Sequence, residues 1–154
     1  MKYNEHFFIT NKIYNIMKCD VIVETCRNSF SCFMQNSENL SYRLVGEGKT
    51  VRKAIEDFFI ARDEMKQMYE EEGRQFVEPE WNFIFDVGAF LDYYPINVTA
   101  FAKYSGINAS LLRQYASGLA KPKQKNIERI RKALDTVGKD ICNGHLIDRP
   151  VTYN

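Results

Sequence analysis

The segment between Asn97 and Gly118 leaves the fewest structural options of any part of this chain. Asn97 and Asn108 stand where N-caps belong, which predicts short helices over 98–105 and 109–116. Ala102 is small enough for a second helix to cross the first closely. Gly106, four positions later, accepts the positive φ of a tight turn. Ile107 plugs the gap behind that turn, and Leu112 with Tyr115 gives the second helix a buried face. Phe101 belongs to the same apolar set. Two helices crossing at a glycine turn satisfy every one of these conditions, and an unrelated helical hairpin is the alternative reading.

The rest of the chain divides around this segment. Residues 1–16 match no element and read as an N-terminal arm; translation from Met17, just before the first strand, is the alternative, with the arm disordered or an artefact. Asp20-Val-Ile-Val-Glu-Thr-Cys26 is rich in β-branched residues, Arg27-Asn-Ser29 supplies turn chemistry, and Phe30-Ser-Cys-Phe-Met34 completes a hairpin. A third strand is expected over 40–45, closed by Gly46-Glu-Gly48. Thr50 caps a helix of some 22 residues. Its apolar stripe includes Val51, Ala54, Ile55, Phe58, Phe59, Met65, Met68 and Tyr69, and Gly73 ends it. At this spacing the two methionines read as core rather than as a binding face. Residues 73–79 form a polar connector, and 81–85 a fourth strand at an edge or interface. Asp86 caps a helix over 87–94, which Pro95 stops. After a loop punctuated by Gly118 and Pro122, a last helix is expected over 124–137, with Ile127, Ile130, Ala133 and Leu134 on one side.

The fold class is therefore α+β: a small antiparallel sheet with one long helix over 17–80, with strand 81–85 near the junction, then an all-α unit over 86–140. Residues 141–154 form a tail without strong periodicity.

A net charge of +1 on 154 residues conceals two units of opposite sign. Residues 1–80 carry 11 basic and 14 acidic side chains, whereas 81–154 carry 10 and 6. In the window 97–139 nine basic residues face only Glu128 and Asp135, an asymmetry that points to a partner of negative charge. Cys19, Cys26, Cys32 and Cys142 form no C-x-x-C pair, and His6 and His145 stand at opposite ends. No zinc site is expected from them. Unpatterned thiols fit a reducing cytoplasm, and the chain has neither an 18-residue apolar run nor the features of a secretory signal.

Ser105-Gly-Ile-Asn-Ala-Ser-Leu-Leu-Arg-Gln-Tyr-Ala-Ser-Gly118, followed by Lys121-Pro122 and a further helix, resembles the Cro/Xre class of helix-turn-helix. In that class the second helix enters the major groove of double-stranded DNA. By position, the resemblance makes Asn108, Ala109 and Ser110 the start of the recognition helix, with Arg113 and Gln114 one turn later. Arg forks onto guanine and Gln onto adenine. Lys121 and Lys123 are placed for phosphates, and Asn97 for a further phosphate at its helix N-terminus. Plain alternatives are a solvated lysine face at 121–125 and an Arg113 paired with an acidic neighbour. Arg129, Arg131 and Lys132 read as solubility charges on the outer face of the last helix. Val98 departs from the class, which often has a polar phosphate-contacting residue there.

The order of parts in front of this motif is similar to the HicB antitoxins of bacterial toxin–antitoxin pairs. The features that carry it are the hairpin over 21–34, Gly48-Lys-Thr50 opening the helix at Val51-Arg-Lys-Ala-Ile55, and the helix-turn-helix behind them. The resemblance implies a pared-down ribonuclease-H-like sheet that masks a small basic RNA-cleaving toxin, a rear unit that represses its own operon at a palindromic operator, and a homodimer or higher oligomer. Ser41-Tyr-Arg-Leu-Val-Gly46 stands where many members carry a Pro-Gly-rich segment. A stand-alone regulator without a toxin is accordingly the second reading.

A ribonuclease-H-like active site needs converging carboxylates to hold two divalent ions. Asp20, Glu24, Glu56, Asp57 and Asp86 are the candidates, yet only Asp20 and Glu24 share a strand face, and Asp86 is better explained as a helix cap. The chain reads as a non-enzyme without cofactor or metal. A metal-dependent nuclease and a pure protein-interaction module are the remaining alternatives.

Overall fold

Alternating apolar and polar residues build the front of the molecule. In β1 (Lys18–Cys26) Cys19, Val21, Val23 and Thr25 are buried on one face, while Asp20, Ile22 and Glu24 take the other. The computed structural model describes residues 17–146, so the arm 1–16 and most of the 141–154 tail lie outside the described residues. A turn in which Asn28 adopts φ 60° leads into β2 (Ser29–Gln35), antiparallel to β1. Next come β3 (Val45–Gly48), α1 (Val51–Glu71), β4 (Glu80–Phe85), α2 (Val87–Tyr93), α3 (Val98–Ser105), α4 (Ala109–Ala116) and α5 (Gln124–Cys142). The result is an α+β fold with a four-stranded sheet in the order β3-β2-β1-β4 and five helices among the described residues.

The sheet is mixed, not antiparallel as expected. β3 runs in the same direction as β1, α1 returns the chain across one face, and β4 therefore arrives parallel to β1 on its free edge. The third strand also lies later than its apolar alternation predicts. Leu40, Tyr42 and Leu44 are buried as a strand face would be, but the ladder forms over Val45–Gly48. Two glycines explain the shift. A Cβ on Gly46 would stand 2.3 Å from the Ala54 carbonyl oxygen, and one on Gly48 2.4 Å from the Ala54 nitrogen. The backbone of β3 lies directly against α1, and only residues without a side chain permit that approach.

Thr50 caps α1 by accepting from the Lys53 N–H at 3.3 Å, and Gly73, at φ 66°, follows its C-terminal end. The helix buries Val51, Ala54, Phe58 and Tyr69 against the sheet. Phe58 is fully enclosed and meets Trp81 and Phe83 edge-on at 5.3 and 6.0 Å. Burial of such a side chain stabilises by roughly 1.5–3 kcal/mol. Met65 packs against this core, whereas Met68 stays 40 % exposed. The Val51 N–H donates to the Asp92 carboxylate at 2.9 Å, tying the start of α1 to α2.

A second core lies among α3, α4 and α5, where Phe101, Ile107, Leu112, Tyr115, Ile130 and Ala133 are buried. The last helix extends to Cys142, five residues beyond its expected end at Val137. No helix among the described residues is long and apolar enough to cross a membrane.

Asp86 ties the end of β1 to the start of α2. One carboxylate oxygen accepts from the Thr25 N–H at 3.0 Å; the other accepts from the Thr25 hydroxyl at 3.0 Å and from the Ala89 N–H at 2.7 Å, capping α2. Gly88 packs into the same joint, where a Cβ would stand 2.2 Å from the Thr25 hydroxyl oxygen and 2.4 Å from the Tyr115 carbonyl oxygen. Gly88→Ala should therefore destabilise the fold by about 1–3 kcal/mol through overpacking. Gly138→Ala has nothing within 4 Å to meet in α5, and should stabilise by about 0.5–1 kcal/mol. Urea unfolding of the two variants checks both signs.

Candidate nucleic-acid interface

Local chemistry sets the α3–α4 pair. The Asn97 side-chain oxygen accepts from the Ala100 N–H at 3.0 Å, and that of Asn108 from the Ser110 N–H at 2.7 Å. Between the helices Gly106 adopts φ 61°, ψ 17°, a left-handed conformation that a side chain would strain. Behind the turn Ile107 is buried, and its N–H donates to the Ser105 hydroxyl at 3.3 Å. Four of the six residues expected in the core of this unit, Phe101, Ile107, Leu112 and Tyr115, are buried. Ala102 is half-buried beside them, and Gly106 makes the turn.

The residues expected to meet a ligand lie mostly outside. Asn97, Asn108, Ser110, Arg113, Gln114, Lys121 and Lys123 are exposed, and Ala109 is half-buried. Arg113 pairs with no carboxylate among the described residues. Its guanidinium donates to the Thr99 hydroxyl at 2.8 Å, binding α4 to α3. Val98, the departure from the class pattern, packs into the rear core. Among the nine cations of 97–139, only Lys139 is ion-paired with a described residue, to Asp135 at 2.7 Å. The other eight leave this unit with an uncompensated positive field.

Arg129 has a role that its position in the sequence did not reveal. Rather than a free charge on the outer face of α5, its guanidinium donates to the carbonyl of Gly106. That carbonyl closes α3, where orphan acceptors and the negative end of the helix favour a cation. The two residues are 23 apart in sequence, and no spacing rule links them. Asn126 adds a second brace, donating to the Tyr115 hydroxyl at 2.9 Å.

The sheet presents a different surface. On the face opposite α1, Val45, Phe33, Ile22 and Ile84 stand in register across all four strands. Val45 is 53 % exposed and Ile84 42 %. Glu47, Ser31 and Glu24 form the row on one side, and Gln35, Asp20 and Asn82 the row on the other. The five carboxylates weighed as metal ligands do not converge. Asp20 accepts from Asn82 at 2.7 Å, Asp57 accepts from the Glu47 N–H at 2.9 Å, and Asp86 is occupied by Thr25 and Ala89. Among the described residues no group of three or more His, Cys, Asp or Glu is close enough to hold a metal ion. The Cys32 thiol donates to the Ala54 carbonyl at 3.1 Å, and burial pushes it up to about 12. It is a packing group at neutral pH rather than a nucleophile.

Comparison of the chain with family models, curated proteins and solved structures gives no match. Arg129→Ala should cost about 1 kcal/mol of stability by leaving the Gly106 carbonyl without its charged donor. Lys132→Ala, which removes a neighbouring charge with no such bond, should stay within about 0.5 kcal/mol of the parent in the same urea titration.

Proposed function

We propose that this chain is a sequence-specific DNA-binding repressor of Cro/Xre type whose front unit makes it a HicB-like antitoxin. The observation that carries DNA binding is the α3–Gly106–α4 arrangement. Its second helix exposes Asn108, Ser110, Arg113 and Gln114 beside cations without carboxylate partners. α4 reads base edges in the major groove through Arg113 and Gln114, and Lys121 and Lys123 hold phosphates. A homodimer places two such helices on a palindromic operator. The protein works in the cytoplasm, without catalysis or cofactor.

The antitoxin part of the reading draws support from the outer sheet face. An apolar row flanked by Asp20, Glu24 and Glu47 suits a small basic protein, and repels a second copy of the same face. A stand-alone regulator uses the rear unit alike and leaves this face without a toxin. Co-purification with the product of the adjacent reading frame separates the two.

The DNA upstream of the chain's own gene and a random duplex test the core of the proposal. Arg113→Ala should abolish the preference between them, a loss of roughly 1–3 kcal/mol of discrimination. Lys121→Ala should weaken both complexes alike and reduce the salt slope by about 1. Equal losses on both duplexes for both variants would overturn the assignment of α4 as the reading helix.

A further inference from the structure

The exposed stripe of α4 does not stop at the end of the helix. Ser110, Arg113, Gln114 and Ser117 follow one another at i, i+3, i+4 and i+7, all exposed, so they line one face. At its C-terminal end that face meets the front unit. Asn28 and Ser29 of the β1–β2 hairpin, Lys49, Ala116 and Ser117 line one surface cleft of about 300 Å³, and no carboxylate lines it. The contact is close. A Cβ on Gly118 would stand 2.9 Å from the Thr25 methyl and 3.1 Å from the Cys26 carbonyl oxygen.

Of the nine described cations in the front unit, Arg27, Arg43, Lys49, Arg52 and Lys66 make no ion pair among the described residues, and two of these five stand at the hairpin end. Lys18, Lys53, Arg62 and Arg74 of the front unit are paired with carboxylates. Arg27, at the hairpin turn, and Lys49 are exposed and make no ion pair among the described residues. The Lys49 ammonium reaches the Asn28 carbonyl at 3.5 Å, which holds it over the turn. Lys49 thus lines the cleft at the end of α4, and Arg27 stands next to Asn28, which lines it too.

We propose that Arg27 and Lys49 form a second arm of the DNA interface, holding the phosphate backbone beyond the C-terminal end of α4. The proposal rests on α4 being the reading helix. The arm carries no sequence information, because phosphates are the same on every site. It fixes how far α4 advances along the groove, and it makes the front unit part of the footprint instead of a passenger.

The test is the salt dependence of binding by the full chain, with the upstream duplex and a random duplex as probes. Each neutralised phosphate contributes about 0.9 to the slope of log K against log salt. Arg27→Ala with Lys49→Ala should lower the slope by about 2 on both duplexes. Lys49→Gln, which keeps a donor for the Asn28 carbonyl, should lower it by about 1. Lys66→Ala lies fifteen residues along α1, roughly 22 Å from its start, and should leave it unchanged. If the Arg27/Lys49 pair matches the parent while Lys121→Ala lowers the slope, the second arm is wrong and the reading of α4 stands. If the parent binds neither duplex, both fall.

Discussion

The carboxylate of Asp86 is the point on which the two halves of the molecule depend. It accepts from the backbone and hydroxyl of Thr25 at the end of β1, and from the first turn of α2. A carboxylate accepting several N–H and O–H donors makes charge-assisted bonds of greater strength than neutral ones. The same residue donates its own N–H to the Val23 carbonyl at 2.9 Å. Sheet and helices are thereby locked through one side chain and its own backbone. Gly88 and Gly118 bring Tyr115 and the loop after α4 against Thr25, with no side chain to hold them off.

Signals that act within one turn of chain were readable directly. Thr50, Asp86, Asn97 and Asn108 all cap the helices that their positions predict, because a cap engages an N–H only two or three residues away. The left-handed turn at Gly106 was legible for the same reason. What escaped depends on distance along the chain. The parallel pairing of β4 follows from where α1 delivers it. The displacement of β3 to Val45–Gly48 comes from a helix surface that only glycines can approach. Leu40, Tyr42 and Leu44 alternate as a strand would, yet Tyr42 stacks on Phe76 at 4.8 Å and donates its hydroxyl to the Val77 carbonyl, holding the connector after α1 instead. Arg129 was misread because its partner carbonyl lies in another element.

Net charge is a poor guide to this molecule, and pairing is a better one. In the front unit four of the nine described cations are matched to carboxylates on their own surface. In the rear unit only Lys139 is matched among the described residues. The field of unpaired cations acts at a range of about 10 Å at moderate salt. It is therefore the distribution of unpaired cations, more than their number, that distinguishes the two surfaces.

The glycine contacts of β3 reach further than the sheet. α1 rests on the bare backbone of Gly46 and Gly48, and its first N–H is held by Asp92 of α2. α2 in turn abuts Tyr115 of α4 through Gly88. These contacts form an unbroken train from the outermost strand to the fourth helix, with rigid backbone at most of the joints. The outermost strand and the fourth helix, far apart in sequence, are thus held by one continuous series of contacts.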